Sequence, residues 1–502
     1  MTVNELYNQI ISPDKITQEQ ADAICDSYPQ TDQGVADFLS DLASYSKGEL
    51  LIQIMLASKF YEDTKNIQCL TFMLEIIQNK QLPYMFTQNI YRQVVIKFFR
   101  DNTYLDYKKD YFYYQKLYKR FIEEIDINIF KPYIPTKDTV VILVHQFLAS
   151  THAPTARADY YGGTLQKNFN KKVTMAITQE LPKYTKFFTA GTASYSEDNL
   201  NGINKIKLNS GETVSSYQAD NNNYTLDEMK SLLSYIYYIK PELVLVIGER
   251  SIIGDVCSNF TKVVVDTLSS EIPICIAENI LVEKYMMGDA AKIKYFTHKK
   301  KHFIVKPLPK FNYNRLPIPA LKQEYGIDPD CFAIALVGNR LEIELTPEYT
   351  KMLEDILKID SRVHFVIIGE FEKYTYFYNN LDILENSTIL GYQKNLKRAL
   401  SMCNLYLNPP RKGGGMAAIM ALSERVPVVT LPKCDVEMNI GSDFTAQLDE
   451  YVEVVRKYVL DKEFYKSKQE DIEKLVTNNT YAPEDGVQFM KYMLDEVEKI
   501  SL

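Results

Sequence analysis

From residue 137 onward the chain repeats one pattern, a short run of β-branched and apolar residues followed by a stretch with helical spacing. The runs are TVVILVHQFLA, KVTMAIT, PELVLVIGE, KVVVDTL, IPICIAE, CFAIALVG, VHFVIIGE, STILGY, NLYLNP and VPVVTLP. A strand wet on one face alternates apolar and polar residues, whereas a continuous apolar run is buried on both faces, as in a parallel sheet covered by helices. Strands of this kind alternating with helices predict an α/β protein with right-handed crossovers. One hydrophobic core serves about 250 to 300 residues, and this chain has 502. The proline-rich stretch KPLPKFNYNRLPIPALKQEYG, which starts at residue 306, lets no element run through it. The expectation is two Rossmann-like domains, 137–310 and 315–445, facing each other across a cleft. Helices over 446–502 are expected to pack back on the other domains.

Residues 1–130 read differently. GVADFLSDLASYSKGELLIQIMLASKF and NIQCLTFMLEIIQNKQ place apolar residues three and four apart, the spacing of one helix face. An all-helical module is predicted, closed by KPYIPTKD with Pro132 and Pro135. Its segment YLDYKKDYFYYQKLYKRF is read as a helix with aromatic residues packed on one face and lysines in solvent. Stacking on nucleic-acid bases is the less favoured reading, because a net charge of -8 provides no basic field. The N-terminal MTVNELYNQIISPDK lacks a basic and then apolar leader, and no apolar run reaches about 18 residues, so no transmembrane segment is expected. Seven cysteines without metal-ligand spacing fit a reducing, cytoplasmic setting. His298 and His302 are four apart in THKKKH, but no third ligand stands near and no metal is expected.

The segment NPPRKGGGMAAIMALSE, 408–424, joins a strand to a helix in a chain with only 19 glycines. Helix N-termini at the carboxyl ends of parallel strands offer unpaired N–H groups and about half a positive charge. Glycine lets a phosphate reach such a backbone without meeting a Cβ. A tight turn would need only one glycine, so Gly413, Gly414 and Gly415 together, beside Arg411 and Lys412, favour a diphosphate held by the amides of 414–417. On that reading Gly415→Val is expected to block the ligand and leave the fold intact.

The stretch ILGYQKNLKRALSMCNLYLNPPRKGGGMAAIMALSERVPVVTLP resembles the donor-binding half of GT-B glycosyltransferases, and the resemblance extends over roughly 137–500. It implies a nucleotide-diphosphate sugar, such as a UDP-sugar, in the C-terminal domain, an acceptor on the N-terminal one, and neither metal nor cofactor. By position it implies Tyr392 and Gln393 near the base, Gly414, Gly415, Met416 and Ala417 at the diphosphate, and Arg340 as a cation for the phosphates. The sequence departs from the common pattern where Lys412 and Met420 replace two glutamates, and LEIEL replaces a lysine. Asp435 or Glu437 would then have to contact the ribose.

In the other domain the loop HQFLASTHAPTARADYYGG carries His145, His152 and Thr155 after a strand, and histidine suits proton transfer near neutral pH. His152 is one catalytic candidate. Glu249, after LVLVIG, is the second, as a general base if the reaction inverts the anomeric centre. Its alternative role is to cap the helix that begins near Ser251. The expected activity is transfer of a sugar to a protein or glycan acceptor. The alternative is a catalytically silent GT-B-like subunit supporting a true transferase, with residues 1–130 available to a protein partner.

Overall fold

The computed structural model describes residues 17–45, 49–101, 103, 105–149, 152–183, 196–222, 224–269, 271–307, 310–371, 380–480 and 482–499. The N-terminal segment up to residue 16 lies outside the described residues. Two compact units divide the chain: residues 1–282, 289–305 and 490–502 form the first, and 283–288 with 306–489 the second.

Among the described residues the first unit opens with helices α1 (Gln18–Cys25), α2 (Asp32–Tyr45), α3 (Leu50–Thr64), α4 (Ile67–Ile76), α5 (Tyr84–Arg100) and α6 (Tyr107–Glu124). Strands β1 (Thr136–Val144), β2 (Lys172–Ile177), β3 (Gly202–Lys207), β4 (Thr213–Gln218), β5 (Pro241–Ile247), β6 (Lys262–Asp266), β7 (Asn279–Val282) and β8 (His302–Val305) follow. Between them lie α7 (Ala153–Phe169), α8 (Leu226–Ile239), α9 (Ile252–Cys257) and α10 (Ala290–His298). The sheet order is β3-β4-β2-β1-β5-β6-β7-β8. Every pairing is parallel except that of β3 with β4. Val140 to Val144 of β1 are completely buried, as the continuous apolar run requires, at about 1.5 to 3 kcal/mol for each large side chain.

Two departures from the sequence reading stand out here. IPICIAE is not a strand, because its backbone is satisfied elsewhere: Ile274 N–H donates to Glu249, Ala277 N–H to Asp255, and the Ile274 carbonyl accepts from Arg250 N–H. NILV, paired between β6 and β8, and the edge strand HFIV take its place. The β3–β4 hairpin went unread, although β4 alternates buried and exposed residues as a half-wet antiparallel strand does.

Helix α6 forms as its pattern predicts. Asp106 caps it by accepting from Lys108 and Lys109 N–H, and Tyr111, Tyr114, Leu117 and Phe121 are buried on one face. That face carries polar ties as well: Tyr114 Oη donates to Asp255 of α9 at 2.5 Å, and Tyr91 Oη of α5 to Asp110 at 2.9 Å. Residues from Met490 on also belong to this unit, where Lys262 Nζ of β6 donates to the Val497 carbonyl at 3.0 Å.

The second unit contains β9 (Phe332–Val337), α11 (Leu341–Glu344), α12 (Pro347–Leu357), β10 (Val363–Ile368), α13 (Leu381–Glu385), β11 (Ser387–Gly391), α14 (Leu396–Leu400), β12 (Leu405–Leu407), α15 (Gly415–Ser423), β13 (Val428–Val429), α16 (Asp435–Ile440), α17 (Tyr451–Leu460) and α18 (Lys462–Asn479). A last helix, α19, spans Pro483–Glu498. The five strands are all parallel in the order β11-β10-β9-β12-β13. The chain therefore winds outward from β9 in both directions, and the winding reverses between β9 and β12. One core covers each face of this sheet, the first around Val337, Tyr406, Ala418 and Leu422, the second around Leu336, Tyr349, Phe365 and Tyr451.

Candidate functional site

In an open parallel sheet the crevice for a ligand opens at the carboxyl ends of the two strands where the winding reverses. In the second unit those strands are β9 and β12, and they are followed by Arg340 and by Arg411 to Gly415. Gly413 and Gly414 have φ of 89° and 87°, the left-handed region that glycine enters without a Cβ penalty. Gly415 opens α15 with an ordinary φ, and the N–H groups of Gly415, Met416 and Ala417 meet no protein acceptor among the described residues, as at any first helical turn. Met416 and Tyr392 are both exposed.

The reason for three glycines needs correcting. A Cβ on Gly415 would stand 2.2 Å from Nδ2 of Asn439 in α16. Asn439 is itself fixed by donating to the Asp435 carbonyl at 2.8 Å. Two glycines thus satisfy backbone conformation and the third admits a neighbouring helix, so Gly415→Val strains the fold as well as any ligand.

The flanking charges are engaged within the protein. Arg411 Nε donates to Asn408 Oδ1 at 2.9 Å, its Nη1 to Glu344 Oε2 at 3.1 Å, and its Nη2 to the Val337 carbonyl at 2.5 Å and Tyr406 Oη at 3.0 Å. Its side chain is only 5% exposed, so it is a strut beneath the turn. Arg340 is more open, 24% exposed; its Nη2 donates to the Lys412 carbonyl at 2.6 Å and lies 3.2 Å from Glu344 Oε1. Asp435 accepts the Gly413 N–H, and Glu437 accepts the Lys433 N–H. Both carboxylates thus hold the chain around the turn. Gln393 Nε2 donates to the Leu390 carbonyl at 2.8 Å. Sequence reasoning missed Glu344, because LEIEL was read only for its lack of a lysine.

In the first unit the winding reverses between β1 and β5, and the loops after these strands meet. His145 Nδ1 lies 3.1 Å from Thr178 Oγ1, and Nε2 lies 3.0 Å from the Glu249 carbonyl. Since a carbonyl only accepts, Nε2 carries the proton and Nδ1 accepts from the threonine hydroxyl. Burial, reinforced by positive Arg92, pulls His145 down to about 3. His152 precedes α7; Nδ1 lies 2.9 Å from Thr155 Oγ1 and Nε2 lies 2.9 Å from the Gln146 amide nitrogen. Burial lowers its pKa too, which favours the neutral ring. Glu249 pairs with Arg250 and accepts from Ile274 N–H at 3.0 Å. It does not cap α9. Ser251 does, accepting from Gly254 N–H, while buried Glu180 accepts from Ile252 N–H at 2.8 Å and from the Ser251 hydroxyl at 2.7 Å. Burial raises the Glu180 pKa against the pull of Arg92. Arg92 and Asp110, from α5 and α6, hold the same loop through the Arg250 carbonyl and guanidinium.

The resemblance to solved structures decides the architecture. A mutant of the O-GlcNAc transferase of Thermobaculum terrenum superposes with a TM-score of 0.57 at 12% identity, over 98% of this chain and 95% of that one. The fold is that of the GT-B glycosyltransferases. OtsA in its apo form gives a TM-score of 0.50 at 9% identity, over 72% of this chain and 100% of that one. Anabaena HepE in complex with UDP gives 0.48 at 11%, again over 72% and 100%. No protein-family model and no curated protein matches the sequence. Among the described residues no helix is long and apolar enough to cross a membrane, and no group of three or more His, Cys, Asp or Glu side chains is placed to hold a metal ion.

Proposed function

We propose that this chain is a cytoplasmic glycosyltransferase that moves a sugar from a nucleotide-diphosphate sugar, such as a UDP-sugar, to a protein or glycan acceptor. The observation that carries this reading is the start of α15, where the N–H groups of buried Gly415, exposed Met416 and half-buried Ala417 meet no protein acceptor among the described residues, at the point where the second sheet reverses its winding. Expelling a nucleoside diphosphate builds negative charge on the leaving oxygen, and preorganised donors lower that barrier most where they need not move. The amides of 415–417 serve as those donors and Arg340 as the more exposed of the two arginines beside them, without a metal ion. In the first unit His152 and Glu249 are the groups assigned to the acceptor. The neutral state favoured for His152 suits a proton acceptor once its bond to Gln146 is exchanged for one to substrate.

A second reading is favoured by the engagement of Arg340, Arg411, Asp435 and Glu437 within the protein. On it the chain is a silent GT-B subunit that binds a glycan or a partner, with residues 1–130 open to the partner. Thermal shifts with UDP-, GDP- and ADP-sugars, followed by assay of nucleoside diphosphate release with glycan and peptide acceptors, separate the two. Ligand at 100 times its Kd stabilises by about 2.7 kcal/mol. Stabilisation with release supports the transferase, and stabilisation without release supports the silent subunit. No shift with any donor overturns the nucleotide-sugar reading.

A further inference from the structure

Resting on the diphosphate reading of the α15 turn, we propose that Glu344 is a built-in counter-anion for that site: it holds Arg340 over the glycine turn until a ligand phosphate takes its place, and so sets how strongly the site binds anions. Glu344 is less than a tenth exposed and its two carboxylate oxygens are used unequally. Oε2 accepts a hydrogen bond from Arg411 Nη1 at 3.1 Å. Oε1 is buried and accepts no hydrogen bond, although Arg340 Nη2 lies 3.2 Å away. The contact of Glu344 Oε1 with Arg340 is thus an attraction of charges without hydrogen-bond alignment, whereas Arg340 Nη2 donates an aligned bond to the Lys412 carbonyl at 2.6 Å.

The two arginines differ in exposure and in how they meet Glu344. Arg411 is fixed by four bonds to Asn408, Glu344, Val337 and Tyr406. Arg340 is the more exposed, and its Nη2 lies 3.9 Å from where a Cβ of Gly413 would stand, directly beside the turn. An anion on the amides of 415–417 offers Arg340 an aligned, charge-assisted bond in place of an unaligned ion pair. The same anion is repelled by Glu344, so affinity reflects the difference between the two effects. Replacing Glu344 by its neutral isostere removes the repulsion and the competition together.

The test uses the full chain and inorganic pyrophosphate, with UDP as a second probe, by calorimetry at constant ionic strength. Glu344→Gln is expected to bind pyrophosphate on the order of tenfold more tightly than the natural protein, and adding Arg340→Gln is expected to abolish the gain. A Glu344→Gln protein that binds pyrophosphate no better than a binding-competent natural protein overturns the counter-anion and leaves the diphosphate reading standing. If neither protein binds pyrophosphate or UDP, both fall. Because Glu344→Gln can disturb Arg411, arginine side-chain NMR of the natural protein gives an independent readout. Pyrophosphate is expected to move the Arg340 guanidinium resonances and leave those of Arg411 in place, and the reverse pattern overturns the proposal.

Discussion

Glu344 and Arg411 meet at 3.1 Å with both side chains at least nine-tenths buried, directly beneath the glycine turn. Removing one member of a buried pair strands the other charge, at about 3 to 5 kcal/mol, whereas replacing both by apolar residues of similar volume is often neutral. Arg411→Ala is therefore expected to cost about 3 to 5 kcal/mol in urea unfolding, and the double change Arg411→Met with Glu344→Leu considerably less. A single substitution as mild as the double one would show that the pair is not the strut described.

Gly415 gives a second expectation, of steric origin. Overpacking costs about 1 to 3 kcal/mol, and the obstacle to a Cβ here is the Asn439 amide at 2.2 Å. Gly415→Ala should destabilise by that amount in the natural background and much less in Asn439→Ala. Gly414→Ala, at φ 87°, should destabilise equally in both backgrounds, because its strain lies in the backbone. Chemical unfolding of the four variants in parallel checks both statements.

His145 gives a pH dependence whose sign is fixed. Its folded value of about 3 lies below the ordinary value near 6.5. Between these the unfolded chain binds the proton and the folded chain does not, so stability rises with pH through the window and is lost as pH falls from about 6.5 toward 3. The contribution is about 1.4 kcal/mol per pH unit. Glu180, raised by burial, titrates with the opposite slope, so the comparison must isolate the histidine. His145→Gln is expected to flatten the loss of stability between pH 6 and 4 in denaturant titrations; an unchanged slope would place the histidine in water.

Elements whose character is local were legible in the sequence. The continuous β-branched runs gave the central strands, and the aromatic periodicity of residues 107–124 gave α6 with its buried tyrosines. IPICIAE has the composition of a strand, yet Glu249 and Asp255 satisfy its backbone from 25 and 22 residues away. No local pattern carries that information. The site divides in the same way: the strand-to-helix glycine turn was readable, whereas Glu344, which pairs with Arg411, and Asp435, which accepts the Gly413 N–H, stand 67 and 22 residues away. Glu180, which holds the first turn of α9, acts from 72 residues away and carries no local signal.

The chain passes out of the first unit after residue 305 and is back in it from residue 490, where Val497 is bonded to Lys262. The main piece of the second unit, residues 306–489, is therefore an insert tethered at both ends, and not a tail. Cutting the chain at residue 490, which looks harmless in a linear drawing, removes a piece of the domain that was synthesised first, including the bond of Val497 to Lys262. That domain cannot be complete until the ribosome has finished the other one.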